Sequence, residues 1–389
     1  MKAVGKIWAN SGDSHINEPA DLFDSLPEHL KGLMPRSVKD PSGAFETIYV
    51  DGQSFERAMP QIKPDADGKI PAGRRPSAMP MGTDIDEMIE RMTMANDAEH
   101  RLADCDDEGV WAEVIYPSLG SWAANIRTPE LAKAGARIHN EFALDFQRRS
   151  PRFVLAASIP LLDMDDTVAE IKRASADGFL GGFIPALPPF GRPDWNNEEW
   201  DPMWDAFAET GMRICMHIGT EPIDPTQSQG LYFRGRGGAI MNYVETTFGG
   251  QRAAVKLIAS GALDKRPELK MLISESGATW GPFIADRMTE AYRQHSAGVR
   301  PKLSREPAQI LYEQVYASFQ HDMSAVQACV AMGWQNVMWG SDYPHYEGTF
   351  GHTQDTLHQL FDGVDPAASE RIRIGAFHEL FPSVPLPPV

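Results

Sequence analysis

The apolar positions change their period along the chain. Eight short apolar runs recur: KIWANSGDSH from Lys6, VWAEVIYPS from Val110, FVLAASIP from Phe153, FLGGFIP from Phe179, RICMHIG from Arg213, LKMLISES from Leu269, QVYASF from Gln314 and NVMWGSD from Asn336. Their β-branched and aromatic residues suit strands, and their near-continuous apolarity suits a parallel sheet buried on both faces. Between them the period becomes helical. Ile85, Met88, Ile89 and Met92 share a face, behind a Thr83–Asp86 pair that resembles an acidic capping box. Leu131, Gly135, Ile138 and Phe142 share another, on a helix opened by Thr128 as N-cap and Pro129 as first residue. Val168–Ala174, Pro202–Glu209, Ala253–Ile258, Ala325–Cys329 and Leu357–Phe361 mark further helices. Strands and helices that alternate eight times predict an α/β chain, a (β/α)8 TIM barrel, with a doubly wound open sheet as the second possibility.

One segment breaks the alternation. Residues 31–80 hold seven prolines and few apolar positions. They read as a long Pro-rich N-terminal excursion inserted in a single barrel domain over residues 1–380, with 381–389 as a C-terminal tail. FETIYVDGQSFE, inside it, predicts a hairpin about Asp51-Gly52. Ordered loops of this length are uncommon and often functional, so the excursion is either a functional loop or an oligomer-contact arm.

Charge narrows the partners. The chain of 389 residues has 36 basic and 54 acidic side chains, a net charge of -18. That disfavours nucleic acid and anionic membrane, both of which attract basic surfaces. Cys105, Cys215 and Cys329 are far apart and form no CxxC pair, as expected in a reducing compartment. No run of about 18 apolar residues would span a bilayer, and the N-terminus lacks the apolar core of a secretory signal. The expected location is the cytoplasm and the expected partner a small molecule.

In a barrel the chemistry sits just beyond the C-terminal ends of the strands. The first run ends in Asp13-Ser14-His15 with Glu18 behind it, the fifth at His217, the sixth at Glu275 and the eighth at Asp342. The seventh runs toward His321 and Asp322. Asp13 and His15 are two apart, so an extended backbone points them the same way. Two carboxylates and two imidazoles, Asp13, His15, His217 and Asp342, would thus converge as ligands of a divalent metal ion. Zinc is the first expectation, with manganese or iron also fitting. Structural readings of each residue stand beside this: His217 as a core histidine, Asp342 as a cap, Asp13 and His15 as turn formers, Glu275 as the partner of a buried arginine. Glu275 and Asp342 are the candidate catalytic groups for moving protons. Arg234 and Arg236 in LYFRGRGG suit a substrate carboxylate, and His321 suits a substrate contact. His345 and His352 read as rim residues. Trp195, Trp200, Trp204, Tyr232 and Phe233 either line a pocket or pack as ordinary core. No P-loop, dinucleotide fingerprint or GxSxG elbow is present.

DSHINEP, MHIG, ISESGATWGP and WGSDYPH, in this order and over most of the chain, resemble the amidohydrolase superfamily. Within it they resemble the amidohydrolase-related branch that contains aminocarboxymuconate-semialdehyde decarboxylase and aromatic-acid decarboxylases. The resemblance implies a barrel enzyme with one divalent metal, often homodimeric. It places the first-strand ligand motif on Asp13 and His15, the fifth-strand histidine on His217 and the eighth-strand aspartate on Asp342. A histidine is usual where Glu275 stands, and a negative charge there would oppose a substrate carboxylate. The leading expectation is therefore a metal-dependent hydrolase that attacks an activated carbonyl through metal-bound water. The alternatives are non-oxidative decarboxylation of an aromatic or unsaturated carboxylic acid, and a noncatalytic binding barrel.

Overall fold

The computed structural model describes residues 5–41, 45–58, 93–118, 120–223, 236–295, 297–345 and 347–388. The helix expected from Thr83 to Met92, the second half of the excursion, Tyr232, Phe233 and Arg234 lie outside them.

The chain opens with β1 (Ala9–Ile16), then β2 (Arg36–Lys39), β3 (Phe45–Val50) and β4 (Gln53–Ala58), followed by α1 (Ala98–Glu108) and β5 (Val110–Pro117). Alternation then sets in: α2 (Pro129–Gln147), β6 (Phe153–Ser158), α3 (Met164–Asp177), β7 (Gly181–Phe183), α4 (Asp201–Thr210), β8 (Arg213–His217), α5 (Gly238–Ala259) and β9 (Met271–Ser274). Two helices, α6 (Trp280–Gln294) and α7 (Pro307–Gln314), lead to β10 (Val315–Phe319). Next come α8 (Met323–Met332), β11 (Val337–Trp339), α9 (Thr353–Phe361), α10 (Pro366–Glu370) and α11 (Ala376–Leu380). All eight expected strands are present, and they form one parallel sheet in the order β1-β5-β6-β7-β8-β9-β10-β11. The sequential order excludes the doubly wound alternative, whose strand order reverses.

The ring closes between β11 and β1 through the residues expected to carry chemistry. Asp342 N donates to Asp13 O at 2.9 Å, and His15 N donates to Tyr343 O at 2.7 Å. Gly340 permits this approach: a Cβ there would lie 2.9 Å from Asp13 Cβ. Side chains alternate across the sheet with period two. Val114, Val154, Cys215, Leu272, Tyr316 and Met338 cluster with Phe377 and Leu380 of α11. Their chain neighbours Ile115, Leu155, Ile214 and Ile273 pack instead with Ile171, Phe207, Leu257 and Ile310 of the outer helices. Trp195, Trp200 and Trp204 belong to that outer core, with ring centroids 4.6 and 5.7 Å apart, so they are packing rather than pocket wall.

The first half of the excursion is a three-stranded antiparallel sheet, β2-β3-β4. The expected hairpin is there, and Asp51 (φ 48°) and Gly52 (φ 74°) both take the left-handed backbone of a two-residue turn. Asp51 has a second task. Its carboxylate accepts from Arg127 N, Thr128 N and Thr128 Oγ1. Thr128 is the N-cap of α2 as expected, but its hydroxyl is turned to Asp51 and does not cap the helix. Met34 and Val50 of the excursion, with Leu26 and Leu30 just before it, pack with Ile126 and Leu131. At the other end Val384 is buried and Pro385 O accepts from Trp111 Nε1 at 2.7 Å, so the tail packs on the barrel. Among the described residues no helix is long and apolar enough to cross a membrane.

Candidate metal centre and active site

Asp13 and His15 leave β1, His217 ends β8, Glu275 follows β9 and Asp342 follows β11, so the barrel brings five side chains from four strands together. His15 Nε2 lies 3.1 Å from His217 Nε2, 3.3 Å from Asp342 Oδ1 and 3.7 Å from Asp13 Oδ1. His217 Nε2 lies 3.3 Å from Asp13 Oδ1 and 3.5 Å from Glu275 Oε2. His217 Nδ1–H donates to Ile218 O at 2.7 Å, which fixes the ring with Nε2 facing the cluster. Asp13 and Asp342 are fully buried, and the polar groups near their carboxylates are the cluster's own imidazoles: His217 and His15 beside Asp13, His15 and His345 beside Asp342; His15 Nδ1 has no hydrogen-bond partner among the described residues.

Two buried carboxylates that meet only imidazoles are costly unless a cation joins them. Electrostatics point the same way. Burial pushes His217 and His345 toward the neutral form, but Asp13 raises His217 to about 10 and Asp342 raises His345 to about 9. Burial also resists ionisation of Asp342, but His345 and His15 overcome it and hold the carboxyl well below its ordinary range. Burial, then the charge of His345, pushes His15 well down. Burial raises Asp13 against the pull of His217. Burial, then the neighbouring Asp342 carboxylate, raises Glu275 well above the ordinary carboxylate range. The cluster draws positive charge onto itself. Asp13, His15 and His217 offer ligand atoms within 4.8 Å of one another, and so do His15, Asp342 and His345, as well as Glu275, Asp342 and Glu347. A nitrogen and oxygen donor set of this kind fits a divalent ion.

Backbone geometry serves the site. Glu275 (φ 57°) and Asp342 (φ 54°) both hold the left-handed conformation that side-chain-bearing residues avoid. Such strain gathers at functional sites. Above the cluster opens a cavity of about 830 Å3, lined by His15, Glu18, His217, Glu275, His345 and Glu347 below and by Ser37, Glu46 and Ile48 of the antiparallel sheet above. The excursion is thus the roof of the cavity.

The other candidates part company. His321 does not line the cavity; its Nε2 lies 3.1 Å from Glu347 O, so it braces the loop that presents His345 and Glu347. His352 stacks on His321 at 5.9 Å. Arg236 is exposed just before Gly237, the N-cap of α5. His345 is no rim residue: its Nδ1 lies 2.8 Å from Asp342 Oδ1 and its ring stacks on His15. Sequence reasoning also missed Arg101. Its Nη1 donates to His15 O at 2.7 Å and its Nε to Glu113 Oε2 at 2.8 Å, with all three residues buried. A signal was available, since Glu113 interrupts the apolar run of β5 and a buried carboxylate requires a partner. The buried arginine pairs with Glu113, not with Glu275.

Comparison with known proteins agrees with the geometry. The gamma-resorcylate decarboxylase of Rhizobium radiobacter is 22% identical over 297 residues, covering 71% of this chain and 86% of the relative. An amidohydrolase structure from Mycobacterium avium subsp. paratuberculosis K-10 superposes with TM-score 0.73 at 18% identity, over 96% of this chain and 97% of that one. A dihydroxybenzoic acid decarboxylase from Polaromonas sp. JS666, solved with manganese and 2-nitroresorcinol, superposes with TM-score 0.63 at 17% identity, over 96% and 97%. The amidohydrolase family model matches residues 121–378, which include His217, Glu275 and Asp342. Barrel, buried metal-coordinating cluster and family match concur: the chain belongs to the amidohydrolase family, with the metal-dependent catalytic site of an enzyme.

Proposed function

We propose that this enzyme removes carbon dioxide, without oxidation, from an aromatic or unsaturated carboxylic acid. The observation that carries this reading is the carboxyl of Glu275, which lines the same cavity as His15, His217 and His345 and stands beside the metal cluster. A group there can pass a proton to a carbon held over the cluster. The relatives support the same reaction, since curated proteins and solved structures alike carry decarboxylase names. Hydrolysis, the leading expectation from the sequence, has less support there: amidohydrolase names occur among the solved relatives, but decarboxylase names are the more frequent.

Asp13, His15, His217 and Asp342 would hold the ion, and manganese is the first to try because solved relatives contain it. When bound, a divalent ion withdraws charge from a substrate carboxylate and an adjacent oxygen. Glu275 then gives its proton to the carbon that bears the carboxylate. The carbon–carbon bond to that carboxylate breaks, its electron pair returns to the unsaturated system, and carbon dioxide leaves. Glu275 recovers its proton from solvent.

The test is carbon dioxide release by manganese-loaded enzyme from a panel of hydroxybenzoic acids in deuterated water. One deuterium at the vacated carbon is the expected result. Oxygen incorporation from labelled water into an ester or amide, with no carbon dioxide from any acid, would overturn the reading and restore hydrolysis.

A further inference from the structure

The seam of the barrel carries metal ligands on both sides, yet has little sheet pairing to hold it. β1 is in register with β5 over five residue pairs and β10 with β11 over three. Among the described residues β1 meets the end of β11 at one bridge, Ser14 with Tyr343. Helix α1 reaches both sides. Arg101 and Asp104, three apart and so on one face of α1, are both buried. Arg101 Nη1 donates to His15 O at 2.7 Å, on the β1 side. The same guanidinium lies 4.8 Å from the centroid of the Tyr343 ring, on the β11 side. Tyr343 Oη–H donates to Asp104 Oδ2 at 2.8 Å, and Tyr343 O accepts from His15 N at 2.7 Å. His15, Tyr343 and Arg101 thus form a closed ring of contacts across the seam. Neutralising Glu113 does not require this. Arg101 Nε and Nη2 reach its two oxygens at 2.8 and 3.3 Å, and Nη1 is turned to the ligand strand instead.

We infer that Arg101, with Asp104 beside it, is a positioning residue for the metal centre: by gripping His15 and Tyr343 together it fixes Asp13 and His15 relative to Asp342. This rests on the ligand assignment proposed above. The planar guanidinium suits the task, because one rigid fork serves Glu113 and His15 O while its face meets the tyrosine ring. Ligand distances at a metal are set to within about 0.2 Å, so slack at the seam reaches the ion directly.

The test is manganese affinity, measured by calorimetry on metal-free protein, with the electron paramagnetic resonance spectrum of bound manganese as a second readout. The variants are the double change Arg101→Met with Glu113→Leu, which strands no charge, and Tyr343→Leu, Arg101→Lys and Arg266→Met. Arg266 is the control, a buried arginine away from the seam that pairs with Asp205 of α4 at 2.6 Å. The double variant and Tyr343→Leu should bind manganese about 10–100-fold more weakly than wild type, the effect of losing an outer partner of a ligand. Their spectra should broaden as the ligands spread over several arrangements. Arg101→Lys, which keeps the charge but not the fork, should lose less than the double variant. Arg266→Met should match wild type in both readouts, whatever stability it loses. Wild-type affinity and spectrum in either the double variant or Tyr343→Leu overturns the inference, as does an equal loss in Arg266→Met. Wild type that takes up neither manganese nor zinc overturns the ligand assignment and this inference with it, whereas tight binding in wild type leaves the seam variants to decide the inference alone.

Discussion

His345 Nδ1 stands 2.8 Å from Asp342 Oδ1, and the His345 ring stacks on His15 with centroids 4.0 Å apart. One imidazole therefore touches a residue at each side of the seam where the barrel closes. The seam itself is made by Asp13, His15, Asp342 and Tyr343 backbone bonds, so metal binding and barrel closure use the same residues.

The first prediction concerns that imidazole. His345→Ala should weaken manganese retention by about 10–100-fold, the usual effect of losing a group that orients or supplements a ligand. His217→Ala and Asp342→Asn should abolish it. Elemental mass spectrometry after dialysis against buffered manganese measures all three. Retention in His345→Ala equal to wild type would return this residue to the rim.

The second prediction sets stability against activity. Glu275 has φ 57° and its carboxyl is crowded by Asp342 and Asp13. Left-handed strain of this kind costs about 1–3 kcal/mol, and glycine relieves it while giving back up to about 1 kcal/mol through the unfolded chain. Glu275→Gly should therefore stabilise the metal-free protein by about 1 kcal/mol in urea unfolding. The same variant should lose at least about 100-fold in decarboxylation, as expected for a missing general acid. A destabilised variant would mean that the backbone there is not strained.

Much of this arrangement was legible in the sequence, and the reasons are physical. The eight strands were legible because a parallel strand buried on both faces must be apolar along its length. Asp13, His15, His217, Glu275 and Asp342 were legible because polar residues that end such runs have only the strand-end face to occupy. His345 was not, since it follows a strand by six residues and only the turn after Asp342 folds it back. Arg101 was hidden because its helix looks amphipathic and polar; Glu113, alone in an apolar strand, was the clue. The roof was half visible as a hairpin, but nothing in the alternation of FETIYV says which surface Glu46 and Ile48 cover.

The third prediction follows from Arg101. Its guanidinium is buried against Glu113 and holds the His15 carbonyl. Removing one member of a buried pair leaves the other charge uncompensated, at a cost of about 3–5 kcal/mol. Arg101→Met should lose that much stability, and Glu113→Leu a similar amount. The double variant should lose less than the sum, because neither charge is then stranded. Urea unfolding of the four proteins gives the coupling, and full additivity would show that the two side chains do not act as a pair.

The fourth prediction is a pH dependence set away from the metal cluster. Burial alone would raise Asp264, but Ser304 N–H (2.6 Å), Ser304 Oγ (2.8 Å) and Arg305 Nε (3.2 Å) all donate to it and hold it below its ordinary value. A carboxyl held down in the folded state takes up its proton less readily folded than unfolded. Its contribution is complete above the unfolded value of about 3.9 and is lost as pH falls through the lower folded value. Stability should thus fall with acid more steeply in wild type than in Asp264→Asn, which should also be the less stable of the two at neutral pH. The cluster carboxylates are shifted in both directions, Asp342 down and Glu275 up, so only the difference between the two proteins, both stripped of metal, isolates Asp264. Unfolding free energies from pH 7 down to about pH 3 test this: parallel curves would show that the Ser304 and Arg305 bonds do not favour the ionised form.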